Sequence, residues 1–390
     1  EAEAAGPAAA IRACIAGVGE LVPCQLQGSP QQGQRRGRGW CAGYAESLRA
    51  RRDLVQLACL WAVAAETLGH CWLSIAGVRA AQWDICHVRL GFSDGDKYVR
   101  SPDALAGAYG VIFCNLIGTF VMGAACAQDR GGGAGQEAPA GPHAAAVKLG
   151  FCPCITTFPG AVQVSVSLLE HNSTVFAAAS LFGGPALFGV GARALPHTCW
   201  PCGRFSDKAA KAVLAFFIVG SFAFELGRAP LALLVGWAMA MAAVLVSDVM
   251  FTLVPAKLLW GVHWETVTAN LVALSLVAGH QTASSYLRLL QPDSSSVFAI
   301  VSGKFQTTFC GTVSSYSSFA GDVMGPVLLH GAARGWRRAA LNWVVNVAAG
   351  VFFIGVFLER SLREGEVVGL MLQSLDAVPE LAETPTGFRC

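Results

Sequence analysis

The sequence predicts an all-α membrane protein in which two inverted four-helix repeats are joined by a single connecting transmembrane helix. The chain is 54% hydrophobic and only 13% charged, with a mean hydropathy of +0.51, which is too apolar for a soluble globular protein. About nine apolar runs reach the roughly 20 residues that a helix needs to cross a bilayer. A hydroxyl-rich motif occurs twice, once in the third run and once in the eighth.

The charge of the chain indicates which binding partners to expect, and the positions of its cysteines indicate what the cysteines do. The formal net charge is +2, and the basic residues gather near the ends of apolar runs rather than on one face. A nucleic-acid partner is therefore not expected, and the expected surroundings are a lipid bilayer. Several of the 14 cysteines fall inside apolar runs, where Cys packs as a small hydrophobic residue. We interpret most of the cysteines as packing residues.

The elements follow one another in a simple order. A Gly/Ala/Gln-rich stretch with clustered Arg predicts a flexible basic arm, and the apolar runs then lie near 55–78, 104–126, 145–169, 174–195, 209–227, 229–254, 262–280, 297–325 and 339–358. The predicted division is an arm at 1–54, a first repeat at 55–195, a linker with the connecting span at 196–228, a second repeat at 229–358 and a tail at 359–390.

The duplicated motif is polar in an apolar setting. Residues 308–319 read Thr-Phe-Cys-Gly-Thr-Val-Ser-Ser-Tyr-Ser-Ser-Phe, and residues 150–158 read Gly-Phe-Cys-Pro-Cys-Ile-Thr-Thr-Phe. Broken backbone and hydroxyl groups at membrane depth are tolerated only where they face protein or a water-filled path. The motif therefore predicts a broken helix in each repeat.

The order of the spans predicts that the repeats are inverted. The motif lies in the third span of each four-span unit, and one extra span separates the two units. A four-span unit begins and ends on the same side of the membrane, so a single connecting span turns the second unit upside down. With the N-terminal arm inside, most basic loop residues also fall on the inner side.

Two asparagines precede the motif at equivalent mid-helix positions. Asn115 lies in the second span and Asn270 in the seventh. An intramembrane Asn often only joins helices, but its repetition favours a function. Together with Phe158, Tyr316 and Phe319 the two Asn offer amide donors and positive ring edges, which can replace water around a small anion. The sequence pairs no carboxylate with these groups, so an anion path is expected.

These motifs resemble those of a known family, the CrcB/Fluc fluoride channels, and most closely its eukaryotic fluoride exporters (FEX), which join two repeats through one connecting span. The family pattern Gly-Phe-Cys-Gly-x-x-Thr-Thr-Phe-Ser-x-Phe is similar to residues 150–158 and 309–319. The family's Gly-Thr-x-x-x-Asn is similar to residues 266–270 and, without the Thr, to residues 110–115. The resemblance covers roughly residues 55–358.

The resemblance implies a fluoride-selective channel, not an enzyme, that mediates passive fluoride efflux and so fluoride resistance. It implies a multi-pass protein of the plasma membrane that works as a monomer of two fused repeats. The implied fluoride path is formed by Asn115, Asn270, Phe158, Phe319, Tyr316, Thr157, Ser315 and Thr266. A structural Na⁺ would be held by the backbone carbonyls of Pro153, Thr156, Gly311 and Ser314.

The resemblance also implies two paths, each lined by one aromatic ring from each repeat. Carried over to this chain, one path pairs Phe158 with Phe319. The other pairs Tyr316 with Ala161, which offers no ring edge. We therefore expect only the first path to conduct.

Two other functions remain open from the residues. The intramembrane ionisable residues could form a proton path in a proton-coupled small-solute or multidrug-type transporter, although several lie near span ends, where snorkelling is the commoner explanation; they are Glu66, His70, Glu225, Asp248 and Lys304. Cys199 and Cys202 flank a Trp-Pro pair and could serve a membrane thiol oxidoreductase.

Overall fold

The structure is a computed structural model, and the part of the chain that it describes is almost entirely helical. It describes residues 37–69, 102–128, 142–170, 174–194, 211–212, 214–220, 230–253, 258–290 and 296–363. Helices account for 96% of this part, which agrees with the predicted all-α class. His70, Cys199, Cys202 and Glu225 lie outside the described residues.

The first half contains long helices and one helix that is broken. Its helices are α1 (Gly37–Leu68), α2 (Pro102–Gln128), α3 (Pro142–Ala146), π1 (Val147–Phe151), α4 (Cys152–Ile155), α5 (Phe158–Glu170) and α6 (Thr174–Ala194). We call residues 142–170 the first broken helix. The helix α1 begins inside the predicted flexible arm, because residues 44–56 are rich in the helix formers Ala, Arg, Leu and Glu.

The second half repeats this order after a short π-helix. Its elements are π2 (Phe216–Gly220), α7 (Pro230–Leu253), β1 (Leu258–Leu259), β2 (Val262–His263), α8 (Trp264–Leu290), α9 (Ser296–Lys304), π3 (Phe305–Cys310), α10 (Gly311–Ser314), α11 (Tyr316–His330) and α12 (Ala332–Arg363). We call residues 296–330 the second broken helix. The two short strands pair antiparallel, with Leu259 opposite Val262, and α12 continues past the predicted end of the repeat at 358.

Each broken helix passes through the same conformations in the same order. An α-helix widens into a π-helix, narrows into one α-helical turn, breaks, and resumes as a long helix. The first break lies at Thr156, which is extended (φ −107°, ψ 149°). The second lies at Ser315, which is left-handed (φ 44°, ψ 76°). The duplicated motif therefore marks two real breaks, at equivalent places.

Three helices of the described part are long and apolar enough to cross a membrane. They are Ala108–Ala127, Pro142–Val166 and Pro230–Leu253, which coincide with the predicted second, third and sixth spans. The predicted runs near 55–78 and 209–227 extend beyond the described residues. Helices of this length and hydropathy identify the described part as belonging to a membrane protein.

The packing of the two halves is reciprocal. Within the halves, α1 contacts π1 as α7 contacts π3, and α2 contacts α6 as α8 contacts α12. Between the halves, the contact of α5 with α12 corresponds to that of α11 with α6. In the same way, the contact of α2 with α11 corresponds to that of α8 with α5. The equivalent elements α4 and α10 also contact each other. Each of these contacts in one half therefore has a counterpart in the other half.

Small residues let neighbouring helices approach closely. A side chain on Gly123 of α2 would collide with the Phe188 carbonyl on α6, and one on Gly191 of α6 would collide with the Phe120 carbonyl on α2. Small residues at such contacts are typical of helix pairs in membranes, where close backbone packing replaces the hydrophobic effect. The α2–α6 pair therefore forms a rigid support for the first break.

Candidate functional site

The side chain of Asn115 clamps the first break. Its Nδ2 donates to the Thr157 carbonyl (3.1 Å), and its Oδ1 accepts from the Thr157 N–H (2.7 Å). In an unbroken helix that N–H would donate to the Pro153 carbonyl. Asn115 is 1% exposed, so its amide is committed to the backbone and holds the break open.

The equivalent Asn270 is less committed. Its Nδ2 donates to Asn346 Oδ1 (2.8 Å), and its own Oδ1 is buried with no hydrogen-bond partner among the described residues. Ser315 instead folds back, so that its N–H donates to the Gly311 carbonyl (3.2 Å). The two asparagines thus occupy equivalent helices but make different contacts, and the Asn270 oxygen is left able to accept a hydrogen bond.

The two breaks cross and cap each other. The Phe158 N–H at the start of α5 donates to Ser314 Oγ (3.1 Å), and the Ser317 N–H near the start of α11 donates to Thr156 Oγ1 (3.2 Å). In both cases the hydroxyl lies at or just before the break in one half, and the N–H follows the break in the other half. Side-chain oxygens at a helix start stabilise it by about 1 kcal/mol. We call this arrangement the crossed breaks.

The carbonyls that the resemblance assigns to Na⁺ are mostly free of helical donors. The Gly160 N–H donates to Thr157 Oγ1 rather than to the Thr156 carbonyl, and the Ser318 N–H donates to Ser315 rather than to the Ser314 carbonyl. The Pro153 carbonyl loses its donor to Asn115, as described above. The Gly311 carbonyl accepts from Ser315 N–H and Ser314 Oγ. Three of the four assigned carbonyls thus lack their usual helical donor, and the fourth accepts two hydrogen bonds.

Three aromatic rings surround the crossed breaks. Phe158, Tyr316 and Phe319 are each 0% exposed. Phe158 and Phe319 meet edge to face with ring centroids 5.3 Å apart, and Tyr316 lies 5.4 Å from Phe319 and 6.5 Å from Phe158. Phe158 and Phe319, which the resemblance pairs in one path, therefore lie in contact. Tyr316 and Ala161, which the resemblance pairs in the other path, belong to the same buried cluster.

The hydroxyl of Tyr316 fixes this cluster to α6. It donates to the Ser180 carbonyl (2.6 Å), and its ring fills the space that a side chain at Gly184 would take. The helix α6 runs unbroken through Gly183, Gly184 and Pro185, and Gly184 leaves room for the Tyr316 ring.

A polar face of α12 was missed from the sequence. Asn342 and Asn346 are 0% and 1% exposed, and Asn346 Nδ2 donates to the Asn342 carbonyl (2.9 Å). One turn further, Gly350 lies against the Phe158 ring. These three positions are four residues apart and share one helix face. Two Asn at that spacing in an apolar run were the signal that could have revealed this face.

A cavity of about 40 Å³ lies below the crossed breaks. Its polar lining comes from β2, from the start of α8 and from α11: His263, Glu265, Thr266, Ser317, Ser318 and Asp322. Two carboxylates, Glu265 and Asp322, share this cavity with the predicted path residue Thr266. The two Asn and three aromatic residues of the predicted path are not among its lining residues. The carboxylates were not recognised because they come from different helices.

Two of the intramembrane ionisable residues form a buried ion pair instead of snorkelling. Lys304 Nζ on α9 donates to Glu66 Oε1 on α1 (2.7 Å), and Thr308 Oγ1 donates to Glu66 Oε2 (2.8 Å). Glu66 and Lys304 are 7% and 6% exposed. Asp248 pairs with Arg51 at a more exposed position (3.0 Å). Glu66 and Lys304 thus join the first helix to the second broken helix.

Two buried helix breaks, crossed among helices suited to a bilayer, define a helical membrane protein with an intramembrane polar site. No family model, no curated protein and no solved structure matches the chain. In the described residues, no group of three His, Cys, Asp or Glu side chains is placed to hold a metal ion. The functional argument therefore rests on the geometry of the site and on the sequence motifs.

Proposed function

We propose that the protein is a fluoride channel that mediates passive fluoride efflux, with nine spans arranged as two inverted four-helix repeats around one connecting helix. The observation that carries the proposal is the crossed breaks, where each half caps the other half's helix beside buried aromatic rings. The reciprocal packing of the two halves supports the repeat arrangement. The resemblance of the two motifs supplies the identity of the ion.

The chemistry of the crossed breaks suits a small anion. The helices α5 and α11 both begin there, and helix N-termini carry a partial positive charge that favours anions. The Asn270 amide, the hydroxyls of Thr157 and Ser315, and the edges of Phe158 and Phe319 would replace water around fluoride. A Na⁺ held by the freed carbonyls of Pro153, Thr156 and Ser314 would supply a fixed positive charge at this point.

The direct test is fluoride efflux from liposomes that contain the purified protein, measured with a fluoride electrode. We expect efflux that needs no added energy source and that is not reproduced with chloride. Protein-free liposomes give the background. Efflux that is absent, or equally fast for chloride, would contradict the proposed function.

Asn270→Asp is expected to lower fluoride efflux by about two orders of magnitude or more. The side chain keeps its shape but gains a negative charge, and like charges about 4 Å apart repel by roughly 4 kcal/mol near a protein surface. Asn270→Ser is the matched control, because it shortens the side chain without adding charge, and it should retain a clearly larger efflux. Unchanged efflux in Asn270→Asp at normal protein abundance would remove Asn270 from the path.

The inverted arrangement predicts which loops share a side. Single cysteines introduced into a background without native thiols should be labelled from the cytoplasmic side at 127–144 and 326–338, and from the outside at 281–296. Equal labelling of 127–144 and 281–296 from one side would contradict the topology. A non-permeant maleimide applied to sealed, right-side-out vesicles separates the two results.

A second candidate function is a proton-coupled small-solute transporter, and one observation favours it. The cavity places His263, Glu265 and Asp322 beside the predicted path residue Thr266, and an ionisable group on the path is what such a transporter requires. A thiol oxidoreductase would depend on Cys199 and Cys202, which lie outside the described residues. If liposomes that contain the wild-type protein show no fluoride efflux but take up a larger solute, the transporter is favoured.

A further inference from the structure

The cavity below the crossed breaks shares one residue, Thr266, with the proposed path. It is lined by the hydroxyl-bearing residues Ser317 and Ser318, which follow the second break, and by Thr266. Its opposite wall is apolar and comes from α2, α6 and α7. In the proposed topology these parts of the helices lie at the cytoplasmic end. The volume of about 40 Å³ is of the order of one water molecule or one small ion.

Three ionisable side chains meet in this cavity. His263 Nδ1 lies 3.3 Å from Glu265 Oε1 and 3.8 Å from Asp322 Oδ1. The second oxygen of each carboxylate, Glu265 Oε2 and Asp322 Oδ2, is buried and has no hydrogen-bond partner among the described residues. A buried acceptor without a donor costs about 1–3 kcal/mol, and more when it is charged. Two such oxygens in one small cavity indicate that the cavity binds a further hydrogen-bond donor, or a proton on one of the carboxylates.

Among the described residues around the cavity, Arg338 adds a positive charge close to the cluster. Arg338 on α12 packs against Gly261 and is close enough for its charge to act on His263. Asn342 on the same helix accepts from the His263 backbone N–H (3.1 Å) and so fixes the hairpin. The helices α2, α6 and α7 contribute Met122, Cys126, Phe188 and Phe251, none of which is a cation. Two carboxylates face one imidazole, so the cluster favours a bound proton, which the charge of Arg338 opposes.

We propose that this cavity is a proton-linked fluoride site, in which fluoride binds together with one proton carried by the His263–Glu265–Asp322 cluster. This inference rests on the proposed function. An ionised carboxylate would repel fluoride at the end of the path, whereas a carboxylic acid has one O–H that donates to it. The proton comes from solution when fluoride enters, stays on the cluster while fluoride is bound, and returns to solution when fluoride leaves.

The first test measures protons directly on the wild-type protein. Calorimetric titration with sodium fluoride, in two buffers of different ionisation enthalpy, gives the number of protons taken up for each fluoride bound. Titration with sodium chloride controls for Na⁺ binding. We expect uptake of about one proton per fluoride at pH values where the cluster is ionised. Fluoride binding without proton uptake would overturn the inference and leave the proposed function intact.

The second test follows fluoride efflux from liposomes with the same pH on both sides, between pH 8 and pH 6. Protein-free liposomes correct for hydrogen fluoride that crosses the lipid. With a rate-limiting proton-linked site, we expect wild-type efflux to rise by up to about tenfold for each unit of falling pH. The double variant Glu265→Gln and Asp322→Asn cannot ionise and should show efflux that varies less than about twofold over this range.

Asp248→Asn is the matched control, because it removes a carboxylate that pairs with Arg51 outside the cavity. It should keep the wild-type pH dependence. A double variant that folds, shown by a single size-exclusion peak, and keeps the wild-type pH dependence would overturn the inference, as would wild-type efflux that is independent of pH. Absence of wild-type efflux at every pH would instead overturn the proposed function, and this inference with it.

Discussion

Phe158→Ile and Phe319→Ile are each expected to reduce fluoride efflux by about 100-fold or more while protein abundance stays normal. Ile keeps most of the bulk, so the cost in packing is on the order of 1–1.5 kcal/mol. It removes the ring edge that would replace water around fluoride. The two rings meet edge to face beside the crossed breaks, with centroids 5.3 Å apart. Loss of either ring edge should therefore block the proposed fluoride path at the same point.

Tyr316→Phe is the matched control for these variants. It keeps the third ring of the cluster and loses the hydroxyl that donates to the Ser180 and Leu181 carbonyls, which is worth about 1 kcal/mol. Efflux should persist with a modest loss of stability. If both Phe variants conduct normally, or if abundance and efflux fall together in both, the rings are packing residues and the proposed path through them is wrong.

Breaking the buried pair between Glu66 and Lys304 is expected to cost about 3–5 kcal/mol of the free energy of unfolding. Either Glu66→Met or Lys304→Met leaves the other charge buried without its counter-charge. The Glu66→Met variant would also remove the acceptor of the Thr308 hydroxyl, which donates to Glu66. Chemical denaturation in detergent micelles, followed for both single variants and the double variant, gives the coupling energy between the two side chains.

The double variant with Met at both positions should be less destabilised than either single variant, because two apolar side chains of similar volume leave no buried charge. Arg51→Met is the exposed comparison. Its pair with Asp248 is partly solvated, so its loss should cost less than about 1 kcal/mol. Equal effects of Lys304→Met and Arg51→Met would show that the Glu66–Lys304 pair is not a special support of the fold.

The local features of this fold could be predicted from the sequence. Hydroxyl groups inside an apolar run marked both helix breaks, because an unsatisfied backbone at membrane depth needs nearby polar groups. The mid-helix Asn115 was singled out for the same reason, and it does contact the first break. Its partner, the backbone of Thr157, could not be predicted, since it lies 42 residues away in the chain and meets Asn115 only after α2 and α4 pack together.

The features that depend on several helices were missed. Glu66 and Lys304 lie 238 residues apart, so from the sequence each resembled an ordinary charge near a span end. The carboxylates of Glu265 and Asp322 meet only because the start of α8 packs beside α11. Asn346 lies in an apolar run, and its role became evident only from its hydrogen bond with Asn270 on α8. In each case tertiary packing, rather than local pattern, decides the role of the side chain.

The crossed breaks have a consequence for how the chain is made. The start of α5 is capped by the hydroxyl of Ser314, which lies 156 residues later in the chain than Phe158. The hydroxyl of Thr156 accepts from the N–H of Ser317, which lies 161 residues later. Such long-range contacts form late, because the chain between them must first be ordered. A ribosome that has delivered only the first half has therefore inserted an unfinished unit, with an uncapped helix start inside the bilayer. Completion of the first half depends on synthesis of nearly all of the second, so a chain truncated before Ser314 should be retained as a folding intermediate and degraded.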